Sequence, residues 1–191
     1  MKKIILASAS DRRKHILEQV GLEFEVDPSS YEEDMSLEME PRKLAEFLSL
    51  EKAKDVAKKH KNAIIISGDT FCVFNNKIIG KPYTTEKAKE TLRDFSGKSH
   101  TVVTGFSIID TESGKQISKS IETKVYFKNL SEEEIDAYIA TGEPLEKAGA
   151  YGIQHRGALF VEKIEGDFYN IVGMPILPIS EELKNFGINI L

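Results

Sequence analysis

Short apolar runs alternate along this chain with segments of helical periodicity, and this alternation limits the fold more than any other feature. The runs KIILA (3–7) and AIIIS (63–67) predict buried strands. Apolar residues recur at helical spacing in three segments, which are 11–20, 41–59 and 85–95. We therefore expect an α/β protein with a mixed β-sheet and flanking helices.

The other elements are predicted from turn signals and local pattern. Asn75-Asn76 separates two apolar runs and predicts a hairpin. Ser131 and Glu134 form a capping box, which predicts the start of a helix. The segment TGEPLEKAGAYGIQ (141–154) predicts an ordered loop whose backbone approaches another group closely. The remaining predictions are a strand at 22–28, a β-rich region at 100–127, a hairpin of 158–164 with 168–172, and a short helix from Ser180.

Length and composition exclude several classes of protein. The 191 residues suffice for one large domain or two small lobes, and a net charge of −5 argues against general nucleic-acid binding. The single cysteine, Cys72, excludes a disulfide framework and a cysteine-based zinc site. No apolar run reaches the ~18–20 residues that span a bilayer, and MKKIILA stops too early for an export signal. We expect a cytoplasmic protein without membrane attachment.

The stretch IILASASDRRK (4–14) joins a predicted strand to a predicted helix through two serines and two arginines. The free N–H groups of a helix N-terminus suit a phosphate, and Ser8 lies in this turn. Arg12 and Arg13 oppose the helix dipole unless an anion neutralises them. The alternative is that Ser10 is an ordinary N-cap and the arginines are solvated. This stretch alone does not decide between the two.

Four further residues and one acidic run could carry chemistry, although none of them is decisive alone. Asp69 and Thr70 are predicted to leave the end of a buried strand, where a carboxylate could hold a divalent metal or accept a proton from water. The alternative is a turn-capping aspartate. Lys81 lies in an extended segment before a proline, and Lys52 lies at the margin of the apolar stripe of its helix. The acidic run 32–34 is typical of a solvated surface.

The motifs taken together resemble those of the Maf family of nucleotide pyrophosphatases, in unbroken order from residue 4 to residue 178. They are IILASASDRR, EEDM, EKAK, GDT, IIGKP, FSGKSHTVVTGF, TGEPLEKAGAYGIQ and FYNIVGMP. The resemblance implies a single Maf-like domain over residues 1–191, with two lobes around a central cleft and an inosine-triphosphatase-like fold. It also implies a divalent metal (Mg²⁺, Mn²⁺ or Co²⁺), a homodimer in many members, and a link to arrest of septum formation.

The implied reaction is hydrolysis of a nucleoside triphosphate to the monophosphate and pyrophosphate. The family's catalytic and phosphate-binding positions match Ser8, Arg12, Arg13, Glu33, Lys52, Asp69 and Lys81. Asp69 corresponds to the proton acceptor and, with Glu33, would supply metal ligands. Asp11 stands where the family usually has proline. The four cationic residues would match the roughly four negative charges of a triphosphate.

The resemblance also bears on the base. One branch of the family prefers dTTP and UTP and another prefers 7-methyl-GTP, and the positions associated with this choice match Arg12, Thr70 and Gln154. A neutral amide complements the edge of uracil or thymine, so we expect a dTTP/UTP pyrophosphatase that also accepts modified pyrimidine nucleotides. Glu143 and Tyr151 keep a 7-methyl-GTP pyrophosphatase open as an alternative. Two others are a non-enzymatic nucleotide-binding regulator of septum formation and a phosphohydrolase that removes the terminal phosphate.

Overall fold

The computed structural model of the chain describes residues 2–32, 34 and 37–191. The strands in these residues are β1 (Lys3–Leu6), β2 (Glu25–Val26), β3 (Ala63–Phe74), β4 (Lys77–Ile79), β5 (Ser99–Asp110), β6 (Gln116–Phe127) and β7 (Val161–Glu165). The α-helices are α1 (Asp11–Gln19), α2 (Pro41–Ala57), α3 (Thr85–Phe95), α4 (Glu132–Ile139), α5 (Phe168–Val172) and α6 (Ile176–Lys184). Short 3₁₀ helices cover Glu143–Glu146, Ala148–Ala150 and Arg156–Phe160.

The strands form one mixed sheet in the order β2-β1-β3-β5-β6-β7, with β4 paired to β3. Strand β1 is parallel to both β2 and β3, whereas the β3–β4 and β6–β7 pairs are antiparallel. The prediction of an α/β fold with a mixed sheet is therefore confirmed. No helix in the described part of the chain is long and apolar enough to cross a membrane.

The chain divides into two compact units, and three long strands, β3, β5 and β6, run through both. The first unit comprises Met1–Asp69, Thr104–Ile121 and Gly173–Leu191, and the second comprises Thr70–Val103 and Glu122–Val172. An aliphatic cluster in the first unit is formed by Ile5, Ala7, Ala53, Val56, Ala63, Ile65 and Ile109. The core of the second unit is richer in aromatic residues and includes Phe74, Phe95, Phe127, Tyr138, Tyr151 and Phe160. Whether the units form the predicted single domain with a cleft stays a prediction.

Local sequence accounts for several of these elements. Asn75 and Asn76 have left-handed φ angles of 49° and 59° and close the antiparallel β3–β4 turn, so the predicted hairpin is confirmed. The Ser131–Glu134 capping box forms with both of its hydrogen bonds and begins α4. Helix α2 begins with Pro41 at its first position, where a missing N–H costs nothing.

The predicted hairpin of 158–164 with 168–172 is wrong, because residues Phe168–Val172 form helix α5. The Asp167 carboxylate accepts a hydrogen bond from the Tyr169 N–H at 2.7 Å. The buried Asn170 side chain donates to the Val102 carbonyl at 3.1 Å. These contacts favour a helical turn over a strand, and a five-residue apolar run does not distinguish the two by periodicity.

The boundaries of three other elements differ from the predictions. Helix α6 begins at Ile176 rather than at Ser180, and the strand expected at 22–28 is reduced to Glu25–Val26. Asp69 was predicted to leave the end of its strand, but β3 continues through Asp69 to Phe74. Asp69 is therefore a mid-strand residue, and the turn-capping alternative for it is excluded.

Candidate active site

The turn after β1 is organised by Ser8 in the first unit. Leu6 pairs with Ile66 of the parallel strand β3, and the Ala7 N–H donates to the Ile66 carbonyl at 2.8 Å. The buried Ser8 Oγ accepts hydrogen bonds from the Ser10 N–H at 3.3 Å and from Arg13 Nη1 at 3.0 Å. Ser10 occupies the N-cap position of α1, but its side chain makes no capping hydrogen bond. The ordinary N-cap interpretation is therefore not supported.

Arg13 is held from both sides of its guanidinium. Nε donates to the Gly173 carbonyl at 2.9 Å, and Nη1 donates to Ser8. A Cβ atom on Gly68 would stand 3.3 Å from Arg13 Nε and 3.5 Å from the Gly173 carbonyl oxygen. Arg13 therefore lies against β3 directly before Asp69, and glycine at position 68 makes room for it.

Arg12 lies partly exposed in the first turn of α1. Burial lowers the pKa of its guanidinium from its ordinary value, which still leaves the group cationic near neutral pH. No hydrogen bond or ion pair joins Arg12 to another residue among those that the structure describes. A partly desolvated cation at a helix N-terminus is a favourable partner for an anion.

Lys52 and Asp69 form an ion pair in the first unit. The Lys52 Nζ atom lies 2.5 Å from Asp69 Oδ1, and the two side chains are 13% and 7% exposed. Helix α2 approaches β5 so closely that a Cβ atom on Gly105 would lie 2.0 Å from the Ala45 carbonyl oxygen. This packing carries Lys52 inward to Asp69. Lys52 is thus a paired, largely buried cation and not a surface lysine whose stem only covers the core edge.

The described residues contain no cluster of three or more histidine, cysteine, aspartate or glutamate side chains that could hold a metal ion. Glu33, the second predicted ligand, lies outside the described residues. A single carboxylate such as that of Asp69 is still compatible with Mg²⁺, which is commonly held by one or two carboxylates together with substrate phosphates.

The remaining predicted site residues belong to the second unit. Thr70 is half-buried in β3, Lys81 is exposed after β4, and Gln154 is exposed in a turn that the His155 N–H closes on the Gly152 carbonyl at 3.2 Å. The Lys81 segment is joined to the 141–154 block, because the Gly149 N–H donates to the Gly80 carbonyl at 3.1 Å.

The predicted close approach of the 141–154 backbone is confirmed at one glycine. A Cβ atom on Gly149 would lie 2.6 Å from Cys72 Sγ, and Gly149 and Ala150 both adopt left-handed φ angles, of 70° and 60°. Left-handed backbone at a residue other than glycine is uncommon and costs free energy. The block is therefore an ordered segment in which local backbone strain is held by packing.

Sequence reasoning missed two groups that shape the arginine site. The Gly173 carbonyl accepts a hydrogen bond from Arg13, and the absence of a side chain on Gly68 leaves room for the guanidinium. Gly173 lies in the motif FYNIVGMP and Gly68 in SGDT, so both were present in recognised motifs. Nothing in the local pattern indicated that residues 160 positions apart would meet.

Comparisons with known proteins agree with the motifs. The family model "Maf-like protein" matches residues 3–186. A dTTP/UTP pyrophosphatase from Methanococcoides burtonii is 49% identical, with 100% of this chain and 98% of the relative covered. A dTTP/UTP pyrophosphatase from Alkaliphilus metalliredigens is 48% identical, with both chains covered completely. A solved HAM1 protein from Coxiella burnetii shares the fold at a TM-score of 0.52 and 14% identity, over 97% of this chain and 100% of that one.

Proposed function

Because this chain belongs to the Maf family, we propose that it hydrolyses dTTP and UTP to the monophosphate and pyrophosphate. The observation that carries the proposal is the Lys52–Asp69 ion pair in the first unit. Asp69 directly follows Gly68 in β3, and the anchored Arg13 lies against Gly68. A buried cation–carboxylate pair at Asp69 and an anchored arginine against the preceding position of β3 suit an anionic substrate that water must attack. The relatives named dTTP/UTP pyrophosphatase support the same substrate class.

The phosphates are bound by fixed cations. Arg13 is preorganised by Ser8 and by the Gly173 carbonyl, so little side-chain entropy is lost when a phosphate binds. Arg12 adds a positive charge at the N-terminus of α1, where a helix dipole also favours an anion. Charge-assisted hydrogen bonds of about 1.5–3 kcal/mol each are sufficient without a basic surplus in the whole protein. Lys81, in the second unit, is the fourth cation of the proposal.

Asp69 accepts the proton of the attacking water. Lys52 holds Oδ1, and no other hydrogen bond reaches this carboxylate from the residues that the structure describes, so Oδ2 is directed to water in this proposal. Water attacks the α-phosphorus in line with the α–β anhydride bond, and its proton passes to Asp69. The α–β bond breaks, and pyrophosphate leaves with the electron pair of that bond. Lys52 orients the carboxylate and balances charge on the phosphates.

A divalent cation bound by Asp69 and Glu33 would neutralise phosphate charge and polarise the phosphoryl oxygens. For the base, we propose that Thr70 and Gln154 contribute to the choice of thymine or uracil, because a small side chain and a neutral amide suit that edge. The proposal also includes a cytoplasmic location, which was expected from the composition, and a homodimer, which the resemblance implies.

The test is pyrophosphate release from dTTP, UTP, CTP and 7-methyl-GTP in the presence of Mg²⁺. We expect dTTP and UTP to have the highest kcat/KM. Asp69→Asn should lower kcat by ~10²-fold or more, because positioned general bases contribute about that much. The matched control is Asp110→Asn. Asp110 is the last residue of β5 and is also paired to a lysine in the first unit, Lys2 at 2.8 Å, but Lys2 directly precedes β1, whereas Asp69 lies beyond the residues of β3 that pair with β1.

Five outcomes would contradict parts of this proposal. Orthophosphate as the product would identify a terminal phosphohydrolase, and nucleotide binding without turnover would identify a regulator. A clear preference for 7-methyl-GTP would overturn the base assignment. Unchanged turnover in Asp69→Asn, or an equal loss in Asp110→Asn, would overturn the role of Asp69.

A further inference from the structure

Tyr138 makes the central polar contact of the 141–154 block in the second unit. Its hydroxyl donates to Glu143 Oε1 at 2.9 Å and accepts the Gly152 N–H at 3.1 Å. Only 4% of the residue is exposed, and its ring packs edge-on against Phe160 at a centroid distance of 4.9 Å. Burial raises the pKa of this hydroxyl above its ordinary value, so it stays protonated and can donate to Glu143.

The backbone packs closely around this hydroxyl. A Cβ atom on Gly157 would lie 2.9 Å from the Tyr138 hydroxyl oxygen and 2.8 Å from the Gly152 carbonyl oxygen. A Cβ atom on Gly152 would lie 3.0 Å from Glu143 Oε1. Two glycines therefore enclose the hydroxyl, and Gly152 is fixed through its N–H.

Gly152 in turn fixes Gln154. The Gly152 carbonyl closes the turn that contains Gln154 by accepting the His155 N–H at 3.2 Å. The preceding residue, Tyr151, is held through its hydroxyl by His100 Nε2 at 2.9 Å. The exposed Gln154 thus projects from a turn whose first residue is anchored by Tyr138 and whose approach is anchored by His100.

From these contacts we infer that Tyr138 is a positioning residue for base selectivity, acting through Gly152 on Gln154. This inference rests on the proposed function, because it assigns a structural cause to the choice of base there. Tyr138 does not touch the substrate in this scheme. It sets the position of the Gln154 side-chain amide, which contacts the base. A side chain that recognises a base through hydrogen bonds must be held closely in place to reject a base with a different edge.

The test is Tyr138→Phe, which keeps the ring packing and removes both hydrogen bonds. We expect kcat/KM for dTTP to fall about tenfold, mainly because KM rises. The ratio of kcat/KM for dTTP to kcat/KM for CTP (the dTTP:CTP ratio) should fall by about the same factor. The matched control is Tyr126→Phe, because the Tyr126 hydroxyl also donates to a glutamate, Glu165, at 2.8 Å but on an exposed surface of the same unit. That variant should keep the wild-type rate and ratio.

A double-mutant cycle with Gln154→Ala separates positioning from general damage. If Tyr138 acts through Gln154, Tyr138→Phe should change the dTTP:CTP ratio little in the Gln154→Ala background. Additive effects, or a uniform loss for every nucleotide with an unchanged ratio, would overturn the inference. An unchanged ratio in Tyr138→Phe itself would do the same.

Hydrogen exchange gives a readout that does not depend on turnover. The amides of 149–157 should exchange at least about tenfold faster in Tyr138→Phe than in the wild type and in Tyr126→Phe, while α4 stays protected. Unchanged exchange would overturn the anchoring. If the wild type released pyrophosphate from none of the nucleotides, the proposed function and the selectivity role would both fail, whereas faster exchange would still support the anchoring alone.

Discussion

At the scale of single residues, the environment of Arg13 distinguishes it from the other cations near the N-terminus of α1. Two hydrogen bonds, to Ser8 and to the Gly173 carbonyl, determine where its guanidinium lies. The next residue, Lys14, is half-exposed and pairs with Glu18 one turn away, at 3.7 Å. An arginine that is fixed before substrate arrives can stabilise charge that develops in the transition state without reorganising.

We predict that Arg13→Ala lowers kcat/KM for dTTP by about 10²-fold, because removal of one preorganised donor typically costs that much. Arg13→Lys should recover only part of the loss, since a lysine cannot donate in two fixed directions. Lys14→Ala is the control and should stay within about twofold of the wild type. Steady-state pyrophosphate release measures all three variants. Equal losses at positions 13 and 14 would argue for a diffuse charge effect rather than a specific phosphate site.

At the scale of elements, the packing of α2 on β5 determines where Lys52 lies. The helix backbone meets β5 at Gly105, and the buried Ser49 and Ser107 hydroxyls are hydrogen-bonded at 2.8 Å between the same two elements. Lys52 follows on the same helix and reaches Asp69. The position of the ion pair is thus a property of a helix–strand contact and not of the lysine alone.

We predict that Gly105→Ala displaces α2, because the new Cβ atom would lie 2.0 Å from the Ala45 carbonyl oxygen. Overpacking of this kind costs about 1–3 kcal/mol in the free energy of unfolding. A displacement of about 1 Å at Lys52 should also lower kcat by up to about 10²-fold. Urea unfolding and pyrophosphate release measure the two effects.

The stability control for this prediction is Gly80→Ala, since a Cβ atom there meets nothing within 4 Å. Its free energy of unfolding should stay within about 0.5 kcal/mol of the wild type. A Gly105→Ala protein with wild-type stability and wild-type kcat would show that the helix–strand contact is not required to position Lys52.

At the scale of the whole molecule, buried ionisable groups make stability depend on pH. Burial lowers the pKa of His100 to about 3, and its ring stacks on Phe95 at 4.0 Å. In the unfolded chain the histidine pKa is about 6.5. Between these values the unfolded state binds the additional proton, so the free energy of unfolding falls as the pH decreases from about 6.5 towards 3.

We predict that the free energy of unfolding falls less steeply between pH 6 and pH 5 in His100→Gln than in the wild type. The difference in slope should be about 1 kcal/mol per pH unit, which corresponds to nearly one proton. Hydrogen bonds from Lys2 and Ser113 hold the pKa of Asp110 down to about 2, so its contribution is lost only at lower pH, from about 4 towards 2. Urea unfolding at several pH values gives both slopes. Equal slopes in the two proteins would contradict the buried neutral state of His100.

The sequence by itself determined the features that depend on neighbouring residues. Helical spacing predicted α2 and α3, the Ser131–Glu134 pair predicted α4, and Asn75-Asn76 predicted the β3–β4 turn, because capping and turn geometry involve residues only a few positions apart. The motifs identified the Maf family, which the comparisons confirm, and they singled out the serine–arginine turn.

Only the tertiary structure decided how the site residues meet. Strand β3 continues through Asp69, and residues 168–172 form a helix. Lys52 pairs with Asp69, and the Gly173 carbonyl accepts a hydrogen bond from Arg13. These features depend on contacts between residues far apart in the chain, and the free energy of such contacts comes from packing and buried hydrogen bonds that no local pattern records. A lysine at a helix margin looks the same in sequence whether it covers a core edge or pairs with a buried aspartate; the close approach of two backbones at Gly105 made the difference here.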